Sequence, residues 1–308
     1  MTQIFFSAPG WDEYEPFLPA ALRAAGISAD IVTEAHDPAA IDYILYAPTS
    51  PLQDFAPFTR AKAVMSLWAG VERIVGNQSL TQPLTRMVDP GLTESMVEYV
   101  TGHVLRHHLG MDRHIVNPGR VWDHACPPIA RQRPVTFLGL GELGLTCARA
   151  LQALNFPVKG WSRSPKSIAD LATFHGEAGL REALRDAQIV ITLLPNTPDT
   201  QNILNADTLA MTAPGAVVIN PGRGPLIDDA ALIAALDAGQ ISHATLDVFR
   251  VEPLPQDHPF WAHPKVTITP HVAADTRAVT ASQVIAENIR RAETGEPLLH
   301  LVDRIRGY

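Results

Sequence analysis

Three residues of the chain have side chains suited to catalysis. Arg223 lies between two glycines, Glu252 precedes a proline, and His271 follows one. An arginine offers a planar fork to a carboxylate or a carbonyl oxygen, a histidine can transfer a proton near neutral pH, and a carboxylate can orient that histidine. Arg223, Glu252 and His271 are therefore the candidate catalytic residues.

A glycine-rich loop lies upstream of these residues. The run Gly139-Leu140-Gly141-Glu142-Leu143-Gly144 follows a predicted strand and opens a predicted helix, which is the context that the GxGxxG motif requires. The first glycine would permit a tight turn, the second would let the backbone approach a pyrophosphate at the helix N-terminus, and the third would allow close helix–strand packing. The sequence thus predicts a dinucleotide site at Gly139, Gly141, Glu142, Leu143 and Gly144.

The end of the next strand predicts which dinucleotide is bound. NAD sites commonly place an acidic residue there to bind the ribose 2′-hydroxyl. This chain instead has Ser162-Arg163-Ser164, with no acid until Asp170. Arg163 could form a charge-assisted fork with a 2′-phosphate, and Ser162 or Ser164 could donate hydrogen bonds to it. We therefore expect NADP(H) to be preferred over NAD(H).

The surrounding elements must bring these segments together. Short apolar runs alternate with helical stretches over residues 1–90 and again from Pro134, which is typical of parallel α/β units. Continuous apolar runs such as Ile189–Leu194 indicate strands that are buried on both faces. Each catalytic segment follows a predicted strand, and ligands of open α/β sheets lie at the carboxyl ends of the strands. We predict an α/β fold of two doubly wound parallel-sheet domains with a cleft between them.

Two long helices are predicted to connect the domains. One covers Thr93–Asn117, with Ser95 and Glu98 as a candidate capping box. The other, Thr280–Glu293, would return the chain to the first domain. The predicted domains are residues 1–94 with 275–308 for the substrate, and 95–274 for the dinucleotide.

Composition limits the partners and the location. The chain has 308 residues, 24 Lys and Arg against 32 Asp and Glu, and a formal net charge of −8. That balance gives no basic footprint for nucleic acid. Two cysteines, Cys126 and Cys147, are too few for a disulfide framework, and no window approaches a membrane span. We expect a cytoplasmic protein with neither a nucleic-acid nor a membrane partner.

A histidine cluster on the first long helix is a candidate metal site. His103 and His107 are four residues apart, as in helical zinc sites, and His108 follows. The residues between the pair, Val104-Leu105-Arg106, lack the glutamate of the zincins, and no third ligand is evident. We therefore predict no metal.

The order of these motifs resembles the D-isomer-specific 2-hydroxyacid dehydrogenase family over nearly the whole chain. The motifs are the glycine loop, Gly222-Arg223-Gly224, Asp247-Val248-Phe249 with Glu252-Pro253, and Pro270-His271. Within the family, the chain is most similar to the glyoxylate/hydroxypyruvate reductase branch, through Leu194–Pro198, Thr267–Ala273 and Val302–Tyr308.

The resemblance implies a Rossmann nucleotide-binding domain and a flavodoxin-like substrate domain. It also implies a homodimer and the reduction of a small 2-keto acid by hydride transfer from NADPH. His271 would donate the proton, Glu252 would orient it, and Arg223 would bind the substrate. Further cofactor contacts are implied at Leu194, Pro195, Pro221, Gly222 and Asp247. Asp247 would meet the nicotinamide carboxamide, or else cap a helix.

The resemblance places the substrate carboxylate at Trp68-Ala69-Gly70, where backbone N–H groups would bind it. Trp68 replaces the small residue expected there. Tyr46 either narrows the pocket or packs in the core or at the rim. A tight pocket would favour glyoxylate and hydroxypyruvate. Two alternatives stay open: a dehydrogenase of a larger D-2-hydroxy acid, and a dinucleotide-sensing interaction protein like the corepressors of the family.

Overall fold

The computed structural model describes residues 1–307, which form two units. One unit holds Met1–Thr93 and the described residues from Asp275 onward, and the other holds Glu94–Ala274. The first boundary lies one residue before the one expected from the sequence. Tyr308, the last residue of the Val302–Tyr308 motif, lies outside the described residues.

The secondary structure follows the chain in this order. The strands are β1 (Thr2–Ser7), β2 (Ala29–Val32), β3 (Tyr43–Tyr46), β4 (Ala63–Ser66), β5 (Leu84–Thr85), β6 (Val135–Leu138), β7 (Val158–Ser162), β8 (Ala172–His175), β9 (Ile189–Thr192), β10 (Ala216–Asn220), β11 (Ile241–Leu246) and β12 (Val266–Ile268). The α-helices are α1 (Trp11–Tyr14), α2 (Leu18–Ala24), α3 (Pro90–Leu109), α4 (Asp112–Ile115), α5 (Glu142–Ala153), α6 (Gly176–Leu184), α7 (Ala206–Leu209), α8 (Asp229–Asp237) and α9 (Ala278–Thr294). Short 3₁₀ helices lie at Pro38–Ala40, Ala130–Gln132, Gly224–Leu226 and Pro259–Ala262.

The first unit contains a parallel sheet in the order β2-β1-β3-β4-β5. This is the strand order of flavodoxin-like doubly wound sheets. All four residues of β3 are buried, as expected for a central parallel strand covered on both faces. The apolar residues of α2 and α9 pack with those of β1 and β3 in one core cluster.

The second unit contains a seven-stranded parallel sheet in the order β12-β11-β10-β9-β6-β7-β8. The chain builds outward from β6 to β8, then returns to β9 on the other side and builds outward again. That reversal between β6 and β9 is the point where doubly wound sheets bind dinucleotides. Strands β6, β9 and β10 are entirely buried. The predicted α/β fold with two doubly wound parallel sheets is confirmed.

Helix α3 differs from its prediction. It begins at Pro90 rather than Thr93 and ends at Leu109 rather than Asn117. Asp89 caps it, because the Asp89 carboxylate accepts hydrogen bonds from the N–H groups of Gly91 and Leu92. A proline suits the first helical position because its missing N–H would have had no partner there. The predicted capping box at Ser95 is therefore wrong, since Ser95 lies inside the helix.

Candidate active site

The glycine loop connects β6 to α5, and two of its glycines are required by close packing. Gly139 has φ +111°, and a Cβ there would lie 2.3 Å from the carbonyl oxygen of Leu193. A Cβ on Gly144 would lie 2.1 Å from the carbonyl oxygen of Gly139. Gly141 instead faces open space, since a Cβ added there would have no neighbouring atom within 4 Å. The N-terminus of α5 is thus accessible to an anionic group, and its N–H groups and dipole favour one.

The predicted loop contacts of the dinucleotide lie around this opening. Glu142 and Leu143 are the first two residues of α5. Leu194 and Pro195 follow β9, which pairs with β6 in register, so that Leu138 lies opposite Thr192. The two loops therefore leave the sheet at the reversal point, which fits a bound dinucleotide.

The loop after β7 presents two cations. Arg163 is exposed, and its Nη1 lies 3.4 Å from Oδ2 of Asp199. Lys166 Nζ donates a hydrogen bond to the carbonyl oxygen of Leu140 in the glycine loop, at 2.7 Å. The Ser162 hydroxyl donates to the carbonyl oxygen of Ser164, at 2.8 Å. Because a hydroxyl has one proton, Ser162 in this arrangement cannot also donate to a phosphate.

Lys166 was not among the predicted contacts. It lies three residues after Arg163 in the same predicted loop. That position could have indicated a second cation near the ribose end of the dinucleotide. Its link to Leu140 joins the loop after β7 to the glycine loop. Together these contacts place Arg163 and Lys166 where the sequence predicts the ribose end of a dinucleotide.

The loop that carries Arg223 is held by Asn220, the last residue of β10. Asn220 is 1% exposed, and its Nδ2 donates to the carbonyl oxygen of Arg223 at 3.0 Å. Its Oδ1 accepts from the Gly222 N–H at 3.1 Å and from the Thr192 hydroxyl at 2.6 Å. This role of Asn220 was not predicted, although its place at a strand end before Pro-Gly was a signal. The Arg223 backbone is consequently fixed at the end of β10.

Glu252 and His271 form a direct pair. His271 Nδ1 lies 2.8 Å from Oε2 of Glu252, and Oε1 of the same carboxylate accepts from the Phe249 N–H at 2.9 Å. Because an ionised carboxylate only accepts, Nδ1 of His271 carries the donated proton. Half of the His271 side chain is exposed. Its Nε2 is therefore the atom left to exchange a proton with another molecule.

The strand register brings the three catalytic segments to one edge of the sheet. Asn220 lies opposite Leu246, and Leu246 lies opposite Ile268. The loops carrying Arg223, Glu252 and His271 therefore leave three adjacent strand ends. A Cβ on Gly224 would lie 2.0 Å from the carbonyl carbon of Phe249, so the first two loops touch through their backbones.

Asp247 is buried at the carboxyl end of β11, next to the loop that carries His271. Asp247 directly follows β11 and is 1% exposed. Its carboxylate accepts hydrogen bonds from the N–H groups of Val272 and Ala273, both at 2.9 Å. Pro221 and Gly222 belong to the Arg223 loop, and a Cβ on Gly222 would lie 2.6 Å from the carbonyl oxygen of Thr192. In the described residues, Asp247 thus contacts the loop that carries His271.

The residues predicted to bind the substrate carboxylate lie in the first unit. The Trp68 N–H donates to the Ser66 hydroxyl at 3.2 Å, whereas those of Ala69 and Gly70 have no acceptor within residues 1–307. The Trp68 side chain is 42% exposed. Tyr46 is buried and packs edge-on against Phe55, and burial raises the pKa of its phenol. Of the two interpretations of Tyr46, its surroundings favour core packing.

The histidine cluster on α3 makes hydrogen bonds with the sheet of the second unit. His107 Nε2 lies 2.9 Å from the Thr245 hydroxyl, and its ring lies 4.8 Å from that of His243. Burial, followed by the nearby His243, lowers the pKa of His107 to about 3. Burial, followed by the charge of Arg106, lowers the pKa of His243 to about 4. Over the described part of the chain, no three His, Cys, Asp or Glu side chains are grouped to hold a metal.

These buried histidines predict a loss of stability in acid. The unfolded chain takes up protons on both rings below about pH 6.5, whereas the folded chain keeps them neutral. The free energy of unfolding should therefore fall as the pH drops from about 6.5 towards 4, and the His107→Gln variant should show a shallower fall. Urea unfolding followed by circular dichroism between about pH 7 and pH 5 measures both slopes.

The exposed His175 of the second unit provides the control for this experiment. The His175→Gln variant should keep the slope of the unchanged protein. Equal slopes for all three proteins would contradict a role of His107 in acid sensitivity.

Comparison with known families gives a match to most of the second unit. The family model described as "D-isomer specific 2-hydroxyacid dehydrogenase, NAD binding domain" matches residues 103–273. Among curated proteins, the glyoxylate/hydroxypyruvate reductase A of Serratia proteamaculans is 39% identical over 310 residues, covering 96% of this chain and 98% of that protein. No helix within residues 1–307 has the length and apolar character needed to cross a membrane.

Solved structures also match this chain over its full length, and two of them show the similarity. A D-isomer specific 2-hydroxyacid dehydrogenase from Xanthobacter autotrophicus Py2, in complex with NADPH and MES, has a TM-score of 0.89 and 39% identity, covering 100% of this chain and 99% of that one. An NADPH-dependent glyoxylate/hydroxypyruvate reductase from Sinorhizobium meliloti, in complex with NADP and sulfate, has a TM-score of 0.86 and 33% identity, with both chains fully covered.

Proposed function

Because the chain belongs to the D-isomer-specific 2-hydroxyacid dehydrogenase family, we propose that it uses NADPH to reduce small 2-keto acids such as glyoxylate and hydroxypyruvate. The observation that carries this proposal is the pair formed by His271 and Glu252 at 2.8 Å, in the loops that follow β12 and β11, with the Arg223 loop following the next strand, β10. An oriented histidine and an arginine fork, on loops from the same edge of the sheet, suit proton transfer to the carbonyl oxygen of a substrate that carries a carboxylate.

Each residue has a separate task in this reaction. The nicotinamide, when bound, supplies the hydride to the carbonyl carbon. Nε2 of His271 donates a proton to the carbonyl oxygen as negative charge develops there. Glu252 holds the ring by its Nδ1 and balances the charge of the imidazolium. Arg223 binds the substrate carboxylate and stabilises the carbonyl oxygen, and in the reverse reaction His271 accepts the proton.

We assign the dinucleotide to residues 95–274 and the substrate-binding domain to 1–94 with 275–308. The open N-terminus of α5 suits the pyrophosphate, and Arg163 suits the 2′-phosphate of NADP. In the first unit, the N–H groups of Ala69 and Gly70 are available to the substrate carboxylate. Trp68, beside them, would limit the size of the keto acid.

We also propose a homodimer, built in part on residues 111–129. This segment exposes large apolar side chains in a stretch with little regular structure, and surfaces of that kind commonly meet another protein. These side chains are Ile115, Val116, Val121, Trp122 and Ile129. The cytoplasmic location stays a prediction from the sequence.

A keto-acid panel tests the proposed function. Glyoxylate, hydroxypyruvate, pyruvate and a bulky branched 2-keto acid are each supplied with NADPH, and the loss of its absorbance is followed. We expect kcat/KM to be highest for glyoxylate or hydroxypyruvate. A maximum at the bulky acid would favour the larger-substrate alternative. No turnover with any acid would overturn the proposal and favour the sensing alternative.

The coenzyme preference should depend on Arg163. Charge-assisted hydrogen bonds are worth about 1.5–3 kcal/mol, so the Arg163→Ala variant should raise KM for NADPH by about 10- to 100-fold. KM for NADH should change little, because NADH has no 2′-phosphate. Steady-state kinetics with both coenzymes at saturating glyoxylate measures the two values.

Arg181 offers a matched control, since it too is an exposed arginine of the second unit near a carboxylate, 3.3 Å from Glu177. The Arg181→Ala variant should leave both KM values unchanged. An unaltered NADPH preference in Arg163→Ala would show that Arg163 does not select the coenzyme.

A further inference from the structure

A seam of polar side chains, most of them partly buried, runs between α3 and two strands of the second unit. On α3, its members are spaced by four residues and therefore share one helix face. On β11 they alternate and share one face of the sheet. The seam consists of Tyr99, His103 and His107 on α3, His243 and Thr245 on β11 with Asp247 just after it, and Thr267 on β12 with Thr269 just after it.

Hydrogen bonds cross the seam at successive levels. His107 meets Thr245 at 2.9 Å, and His243 meets Thr267 at 2.8 Å. At the level of the active site, the Tyr99 hydroxyl lies 2.7 Å from Oγ1 of Thr269. This last contact joins α3 to the segment that contains His271, two residues further along.

The Asp247 carboxylate determines which groups donate in the two hydrogen bonds that join Tyr99, Thr269 and Asp247. The Thr269 hydroxyl lies 2.6 Å from Oδ1 of Asp247, and an ionised carboxylate can only accept. The single proton of Thr269 is therefore donated to Asp247. Tyr99 must then be the donor to Thr269, so that a polarised chain runs from Tyr99 through Thr269 to Asp247.

Asp247 holds the backbone around His271. Its carbonyl oxygen accepts from the His271 N–H at 2.8 Å, and its carboxylate accepts from the next two N–H groups, those of Val272 and Ala273. His271 has φ +55°, in the left-handed region where the Cβ of a non-glycine residue crowds the following carbonyl oxygen. Three consecutive N–H groups bound to one residue oppose that strain, so Asp247 fixes the backbone from which the imidazole projects.

We propose that Tyr99 is a positioning residue for His271, acting through Thr269 and Asp247. This inference rests on the proposed role of His271 as proton donor. The Tyr99 hydroxyl keeps Thr269 and the Asp247 carboxylate in one arrangement, and the carboxylate keeps the His271 loop in its strained form. Phenylalanine would fill the same space without the hydroxyl. We assign the positioning role to the hydroxyl, because it is the group of Tyr99 that contacts Thr269.

The Tyr99→Phe variant tests the proposal. Small displacements of a catalytic group slow catalysis strongly, so we expect kcat for glyoxylate to fall by about tenfold. KM for NADPH should change much less than kcat, because Tyr99 contacts neither the glycine loop nor Arg163 and reaches the nicotinamide end only through Asp247. The solvent deuterium isotope effect on kcat should rise, since proton transfer from a displaced imidazole limits the rate more. A purely structural role of Tyr99 would leave that isotope effect unchanged, because a loss of folded enzyme lowers the apparent kcat without changing which step limits the rate.

Threonine variants supply the matched controls. Thr212 is buried, donates a hydrogen bond to the carbonyl oxygen of Leu209, and precedes β10 at the end opposite to Arg223. The Thr212→Val variant should therefore lose stability without kinetic change. The Thr269→Val variant should lower kcat, and Thr269→Ser, which keeps the hydroxyl, should restore most of it. Combining Tyr99→Phe with Thr269→Val should be no worse than Thr269→Val alone, because both break one chain.

The same panel includes His271→Gln. If His271→Gln is inactive while Tyr99→Phe behaves like Thr212→Val, the positioning role of Tyr99 is wrong and the proposed function stands. If His271→Gln retains full turnover, the proposed function itself fails and the inference fails with it. Additive losses in the double variant would also overturn the chain from Tyr99 to Asp247.

Discussion

We expect His271→Gln to lower kcat for glyoxylate reduction by about a thousandfold, within the range of roughly 10²–10⁴ that a general acid contributes. Glutamine can still donate a hydrogen bond, but it cannot give up a proton. KM for glyoxylate and for NADPH should change far less, because binding is proposed to depend on Arg223 and on the glycine loop. Stopped-flow measurement of NADPH consumption gives the rate of the chemical step directly.

His36 provides the control for this variant. It is an exposed histidine of the first unit that also lies near a glutamate, with Nε2 3.7 Å from Oε2 of Glu34. The His36→Gln variant should keep the kcat of the unchanged protein. Turnover by His271→Gln close to that of His36→Gln would eliminate His271 as the proton donor.

The second large effect should come from Arg223. Removing one fixed donor to a developing oxyanion commonly lowers kcat by about 10²–10³, and Arg223 is also proposed to bind the substrate carboxylate. We therefore expect Arg223→Gln to lower kcat/KM for glyoxylate by about 10³ or more, through both kcat and KM. The NADPH dissociation constant, measured by quenching of protein fluorescence, should remain unchanged.

Arg223→Lys separates charge from shape. Lysine keeps the positive charge but lacks the planar fork, so most of the loss should persist in that variant. Full activity in Arg223→Lys would mean that charge alone is sufficient. Full activity in Arg223→Gln would remove Arg223 from the mechanism.

The elements of the fold could be predicted from the sequence where an apolar run marks a buried strand and turn residues mark its end. The apolar run Ile189–Leu194 and the glycine loop are local signals, and the structure has strand β9 at Ile189–Thr192 and starts α5 at Glu142, inside that loop. Strand β8 carries no such signal, because its residues Ala172–His175 are partly exposed at the sheet edge and lack an apolar run. The start of α3 was missed because Ser95 and Glu98 matched a capping pattern, whereas Asp89 is the cap.

The sequence was enough to predict which strand ends carry the candidate site. The rule that ligands lie at the carboxyl ends of parallel strands was enough to group Arg223, Glu252 and His271. Tyr99 could not be found in this way, because its partner Thr269 is 170 residues away and a helical tyrosine gives no sign of which hydroxyl it meets. Its role depends on how α3 packs against the sheet, which is a tertiary property.

The glycines of the site loops also bear on how such a sequence can change over generations. The space beside Gly139 is filled by the backbone of Leu193, that beside Gly222 by the backbone of Thr192, and that beside Gly224 by the backbone of Phe249. A backbone atom cannot be trimmed by exchanging a side chain, so no single compensating substitution can make room for a methyl group at these positions. A larger residue at any of these positions therefore requires the backbones of two loops to move together.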